Sequence, residues 1–242
     1  MKNIIIVLSL FVYLLLANTV KSQTLDPAIT FTEHPQTHNM HICSDGKYYY
    51  TVNGGVASEG LINKFSLKGE LIDTYSFNLD MRTIVYRKKD KSFYVSTYEG
   101  NIYKITELEY GKYEMFHEGI YSDGQSCLGI DTKGEKLYEH SYGTIYVYDF
   151  ETGELLKSFD VFRYAKEMIT GSNSIAVTKK SIILFNGNAQ YIYKYDLDGN
   201  FIEEIKISEG TYGPSVSFAK KYVFVSDDGD YETGTWYGYK IK

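Results

Sequence analysis

The sequence predicts an all-β chain built from five repeated units. Three observations carry that reading. A four-residue pattern returns as Ile62-Asn63-Lys64-Phe65, Ile102-Tyr103-Lys104-Ile105, Ile145-Tyr146-Val147-Tyr148, Ile192-Tyr193-Lys194-Tyr195 and Trp236-Tyr237-Gly238-Tyr239, at steps of 40, 43, 47 and 44 residues. Each copy follows a run of aromatic and β-branched residues, which suit a pleated, packed surface. Gly-containing turns separate the runs. A period of roughly 40–50 residues made of short strands is that of a β-propeller, with one blade per repeat.

The N-terminal segment is set apart from the fold. Lys2, the apolar run Ile4–Ala17 and the small-residue junction before Gln23 read as a signal peptide over residues 1–22, with residues 23–242 as the propeller domain. The apolar run is short for a span of roughly 20 residues. An uncleaved anchor helix is the competing reading. Secretion, to the periplasm or beyond the cell, is the expectation.

Within each repeat the strands fall in a fixed order. A short apolar run such as Thr83–Tyr86 or Ser174–Val177 is strand A. A tight turn or lysine pair follows: Asp45-Gly46-Lys47, Lys88–Lys91, Lys133–Glu135, Lys179-Lys180 and Lys220-Lys221. Strand B is then Tyr48–Val52, Phe93–Thr97, Leu137–His140, Ser181–Phe185 or Tyr222–Ser226. The repeated motif is strand C. A glycine turn, as in Lys68-Gly69-Glu70, Thr152-Gly153-Glu154 or Asp198-Gly199-Asn200, leads to strand D, because Gly accepts the positive φ of a tight hairpin. The fifth unit has no strand D, whereas Ala28–Thr32 near the N-terminus is a strand without a unit. The economical arrangement is five four-stranded blades, with this strand completing the last one and closing the ring. Closure covers edges that would invite aggregation. A solenoid is the alternative.

Composition bounds the partners. The chain has 25 basic and 31 acidic residues, and the domain without its leader carries a net charge of −8. Nucleic acid and anionic membrane surfaces, which select positive charge, are disfavoured. No membrane span is expected in the mature chain, and a monomer is. Cys43 and Cys127 fall on inner strands of non-adjacent blades, too far apart to bridge without closing the channel, so two free buried thiols are expected. No cofactor motif stands out.

Function should gather on the loops from strand D to the next strand A, which meet at one mouth of the channel. His38, His41, Arg82, Arg163 and Glu209 are the expected ligand-binding residues there. Two guanidinium groups, Arg82 and Arg163, would hold an anion by paired hydrogen bonds, unless each pairs with a nearby carboxylate such as Asp80, Asp160 or Glu167. His34, His38 and His41 are weak candidates for a metal, set against a solvated His-rich loop. Asp227–Glu232 reads as an acidic hairpin on the opposite rim, and Asp196–Asn200 as a turn that only partly follows a calcium loop. The second positions of the repeats (Tyr103, Tyr146, Tyr193 and Tyr237) are expected to pack between blades rather than to form a sugar platform.

Two resemblances follow from quoted segments. Through Tyr193-Lys194-Tyr195-Asp196-Leu197-Asp198-Gly199-Asn200-Phe201-Ile202 the chain resembles secreted propellers of the NHL and six-bladed type. That resemblance implies a role in binding a protein, peptide or glycan, and no catalysis is assigned from it. Leu137-Tyr138-Glu139, then Gly143, then Thr152-Gly153, with Ser226-Asp227 later, resemble the plant-type glutaminyl-peptide cyclotransferases, secreted five-bladed enzymes. This second resemblance implies that Glu139 is the catalytic proton shuttle for cyclisation of N-terminal glutamine. Gln125-Ser126-Cys127-Leu128 stands where that family has Thr-Gln-Gly-Leu.

Overall fold

The structure, a computed structural model, describes residues 24–121, 124–125, 127–161 and 173–241. The expected leader, Arg163 and Glu167 lie outside them. No helix among the described residues is long and apolar enough to cross a membrane.

Among the described residues, twenty strands form five separate four-stranded antiparallel sheets. The first strand, β1 (Ile29–Glu33), belongs to the last blade. Blade 1 is β2 (His38–Ser44), β3 (Tyr49–Gly54), β4 (Gly60–Phe65) and β5 (Leu71–Phe77). Blade 2 is β6 (Met81–Arg87), β7 (Ser92–Thr97), β8 (Ile102–Glu107) and β9 (Lys112–His117). Blade 3 is β10 (Gly129–Ile130), β11 (Lys136–Ser141), β12 (Thr144–Asp149) and β13 (Leu155–Asp160). Blade 4 is β14 (Ala176–Val177), β15 (Ser181–Asn186), β16 (Tyr191–Asp196) and β17 (Phe201–Lys206). Blade 5 is β18 (Tyr212–Ala219), β19 (Tyr222–Asp227) and β20 (Gly234–Tyr239), completed by β1. β1 pairs with β20 from Ile29↔Gly238 to Glu33↔Gly234. The five-bladed ring closed by its N-terminal strand is therefore as the sequence indicates, and it has one blade fewer than the six-bladed propellers.

The repeated motif works because its first and fourth residues lie on opposite faces of strand C. All ten such residues are buried. Each interblade core takes the first residue of one blade and the fourth of the next: Ile62 with Ile105, Ile102 with Tyr148, Ile145 with Tyr195, Ile192 with Tyr239 and Trp236 with Phe65. One short motif thus binds both neighbours, which is why it recurs in every blade. The second-position tyrosines join the same cores, Tyr103 against Ile105 and Tyr193 against Tyr195. A β-bulge falls just before the fourth residue in blades 1, 3 and 4, at Phe65, Tyr148 and Tyr195. It adds local twist where the ring must curve.

Two departures from the motif, Trp236 for Ile and Asn63 for Tyr, both fall at the closing seam. There Glu33, buried at the end of β1, accepts hydrogen bonds from Trp236 Nε1 at 2.6 Å, Thr51 Oγ1 at 2.5 Å and Asn63 Nδ2 at 3.2 Å. A polar lock replaces tyrosine packing at the one interface where the two ends of the chain meet.

The inner strands leave an edge facing the channel, and side chains or loop amides satisfy it at every interface. His41 binds the Ile84 carbonyl at 3.0 Å between blades 1 and 2, and Thr83 accepts from Leu128 N between blades 2 and 3. Cys127 N donates to Asn173 O between blades 3 and 4, Ser174 Oγ to Gly213 O between 4 and 5, and Ile42 N to Ser217 Oγ between 5 and 1. Both cysteines are buried, and neither is in a disulfide. Cys127 Sγ donates to the Arg82 carbonyl at 3.0 Å, and burial pushes the Cys43 thiol well above its ordinary pKa. The Asp196 turn is closed by its own backbone: Asp196 Oδ1 accepts from the N–H groups of Asp198 and Asn200, and Gly199 sits at φ +88°.

Candidate functional site

Strand A leaves the mouth and strand B returns to it, so the D–A loops and the B–C turns share one rim. The A–B and C–D turns share the other. This direction rule corrects one expectation. The Asp227–Glu232 hairpin joins β19 to β20, strands B and C of blade 5, and stands on the mouth rim: His38 Nδ1 lies 2.7 Å from Asp228 Oδ2.

The three expected metal histidines do not converge. His34 Nε2 contacts Thr233 Oγ1 at 3.0 Å in solvent. His38 opens β2 at the rim. His41 lies inside β2, buried against Ile84 O, and burial lowers its pKa to about 4. It therefore sits on strand β2 rather than on the mouth loop where it was expected. His38, Asp228 and Asp230 do place ligand atoms within 4.8 Å of one another. However, the Asp228 oxygens already accept from Asn39 N and Asp230 N as well as facing His38, so the cluster is closed on itself. Glu209 is exposed on the same rim, with its backbone N–H and carbonyl both bound to the Tyr239 hydroxyl.

Arg82, expected to bind a ligand, is buried and ion-paired in the structure. It is 5% exposed, and its Nη2 donates to Asp80 Oδ2 at 3.1 Å. The other Asp80 oxygen accepts from Gly55 N at 2.7 Å. Gly54 makes room for this guanidinium, since a Cβ there would lie 2.5 Å from Arg82 Nη1 and 2.4 Å from Met81 O. Above, Arg82 Cζ lies 5.1 Å from the centroid of the Tyr98 ring. A neutralised, buried arginine holds an exposed ring in place. His38 does the same for blade 5: it stacks on Tyr212 at 6.1 Å and meets Tyr231 edge-on at 5.5 Å.

What these supports carry was not singled out by sequence reasoning. Tyr98, Tyr142 and Tyr231 are 49%, 66% and 56% exposed. All three sit on B–C connections, of blades 2, 3 and 5, around the one mouth. Tyr142 and Tyr231 also hold left-handed backbone, at φ 49° and 69°. The β11–β12 hairpin turns on Tyr142-Gly143, both with positive φ, a geometry that favours Asn-Gly. A bulky ring held there at a cost of about 1–3 kcal/mol is an outlier of the kind found at binding sites. The sequence signal was available: a tyrosine directly after strand B in each of blades 2 and 3.

Glu139 lies on β11, 1% exposed, between blades 2 and 3. Its Oε2 accepts from the Tyr148 hydroxyl at 2.7 Å. Burial, and after it this carboxylate, raise the Tyr148 pKa well above its ordinary value. Nearby, Tyr121 donates to Thr97 O at 2.6 Å and is likewise pushed up, chiefly by burial.

No protein-family model matches the chain, and no curated protein does. Among solved structures, the glutaminyl cyclase of Myxococcus xanthus aligns over 91% of this chain and 100% of that one, with a TM-score of 0.61 and 9% sequence identity. At that identity the likeness is one of fold.

Proposed function

We propose that the protein is a secreted binding module that seats a peptide or glycan chain across the channel mouth. The observation that carries this reading is the crown of three exposed tyrosines on B–C connections of a single rim. Tyrosine offers large, rigid, amphipathic contact area at low entropic cost, as in antibody loops, and grouped exposed rings mark interaction surfaces. The exposed Asp230 beside Tyr231 supplies a polar acceptor. The N-terminal apolar segment supports export.

Tyr142→Asn tests the reading, because fold and function should move in opposite directions. The variant relieves the left-handed strain and should gain about 1 kcal/mol in stability. Profiled on a synthetic glycan array and a random peptide library, it should lose the ligands that the wild type selects, with Tyr98→Ala as a companion. Identical profiles for wild type and both variants would remove the crown from the site.

A second reading is favoured by the fold neighbour's activity and by Glu139. In a glutaminyl-peptide cyclotransferase this carboxylate would shuttle the proton as the peptide amine attacks the glutamine amide. Mass spectrometry of a peptide with N-terminal glutamine should then show catalysed loss of ammonia, abolished by Glu139→Gln. Loss at the spontaneous rate only would sink the enzyme reading.

A further inference from the structure

The rim opposite the mouth carries lysines in every A–B turn, and two of those turns differ from the rest. In blades 1–3 an aspartate in or beside the turn accepts backbone N–H groups: Asp45 from Lys47 and Tyr48, Asp90 from Ser92, Asp131 from Glu135 and Lys136. In blade 4 that role passes to a neutral hydroxyl, Thr178 Oγ1, which accepts from Lys180 N and Ser181 N. In blade 5 the turn closes through Lys220 itself, at φ 61°. The lysines of blades 4 and 5 therefore lack the local carboxylate that the other turns possess.

Between these two turns lies a pocket of about 510 Å³. Its apolar wall is Ile183, Phe218, Val223 and Ile241. Lys179, Lys180 and Lys221 also line it, along with Lys194, which already holds Glu203 at 2.8 Å. Among the described residues no carboxylate lines it. The volume is that of a small-molecule site, in which apolar surface supplies affinity and a few polar groups set orientation. Lysine stems extend the apolar wall while their ammonium groups stay at the edge. In a chain of net charge −6, an anion is repelled by most of the surface and attracted here.

We propose that this pocket binds a small amphiphilic anion, an apolar chain ending in one carboxylate, with the tail against Phe218 and Ile241 and the head among the blade 4 and blade 5 lysines. This site is distinct from the mouth and independent of the tyrosine crown. Its test is calorimetry of the full domain with decanoate, decanol and decyltrimethylammonium, on wild type and on Lys180→Glu/Lys221→Glu. Both lysines are exposed, so the double variant should melt with the wild type. Decanoate should bind, decanol and the cation at least about tenfold more weakly, and the double variant should lose at least about tenfold in decanoate affinity. No decanoate binding, equal binding of decanol, or an unaffected double variant would overturn the proposal. So would sedimentation on phosphatidylglycerol vesicles that decanoate does not displace, which would make the lysine face a membrane contact.

Discussion

Glu33→Ala should destabilise the ring by about 3–5 kcal/mol, because it strands three buried donors, each costing about 1–3 kcal/mol when unpaired. Trp236 Nε1, Thr51 Oγ1 and Asn63 Nδ2 have this carboxylate as their shared acceptor at the seam. For a domain of this size the loss corresponds to a melting point lower by about 6–20 °C. Thermal unfolding followed by circular dichroism would show it, and a drop below about 3 °C would mean that the apolar seam of Phe31, Phe65 and Trp236 closes the ring unaided. The pH dependence adds a second handle. Desolvation raises the Glu33 pKa above its ordinary value, outweighing the donors from Thr51, Trp236 and Asn63. A raised acid contributes most below its unfolded pKa, and that contribution is lost as pH rises through the folded one. Relative to Glu33→Gln, which cannot ionise, the wild type should therefore lose ground between acid and neutral pH.

Acid should unfold the protein through His41. This imidazole is buried between blades 1 and 2, and its pKa falls from 6.5 to about 4, with desolvation outweighing the hydrogen bond to Ile84 O. A depressed base is neutral in the fold. Its contribution is intact above pH 6.5 and drains away as pH falls toward 4, when the unfolded chain takes up a proton that the folded one refuses. At about 1.4 kcal/mol per pH unit of displacement, the loss is about 3 kcal/mol. The slope is opposite in sign to that of Glu33, so the two single variants separate them. Urea midpoints at pH 7 and pH 4.5 should differ strongly for wild type and much less for His41→Gln, which keeps a donor for Ile84 O. Equal acid sensitivity in the two proteins would place the titrating group elsewhere.

The candidate site was legible only in part. His38 and Arg82 are legible because charged residues before strand A are easy to see, but what they touch is not: His38 meets Asp228 and Tyr212, and Arg82 is buried against Asp80. Nothing local in Asp80-Met81-Arg82 says that the guanidinium turns inward past Gly54, and burial with an ion pair is what converts a ligand clamp into a support. Tyr98, Tyr142 and Tyr231 were passed over among 25 tyrosines, because an exposed ring and a packed one have the same letter. The acidic hairpin was assigned to the wrong rim for a simpler reason. Its rim follows from counting strand directions through blade 5, where the missing strand D obscures the count.

By itself the sequence determined the number of blades, the order of strands within each, and the closure by the N-terminal strand. Those features rest on local periodicity: a motif whose first and fourth residues must face opposite neighbours recurs wherever a blade has two neighbours. It even marked the seam, since Trp236 and Asn63 break the motif where Glu33 replaces packing by hydrogen bonds. The tertiary structure alone decided which polar groups meet. His38 and Asp228 are 190 residues apart in the chain yet 2.7 Å apart in space, and Lys180 and Lys221 come together around a shared pocket only because blades 4 and 5 are adjacent. Ring closure sets such pairings, and side-chain identity along the chain carries no record of distance across it.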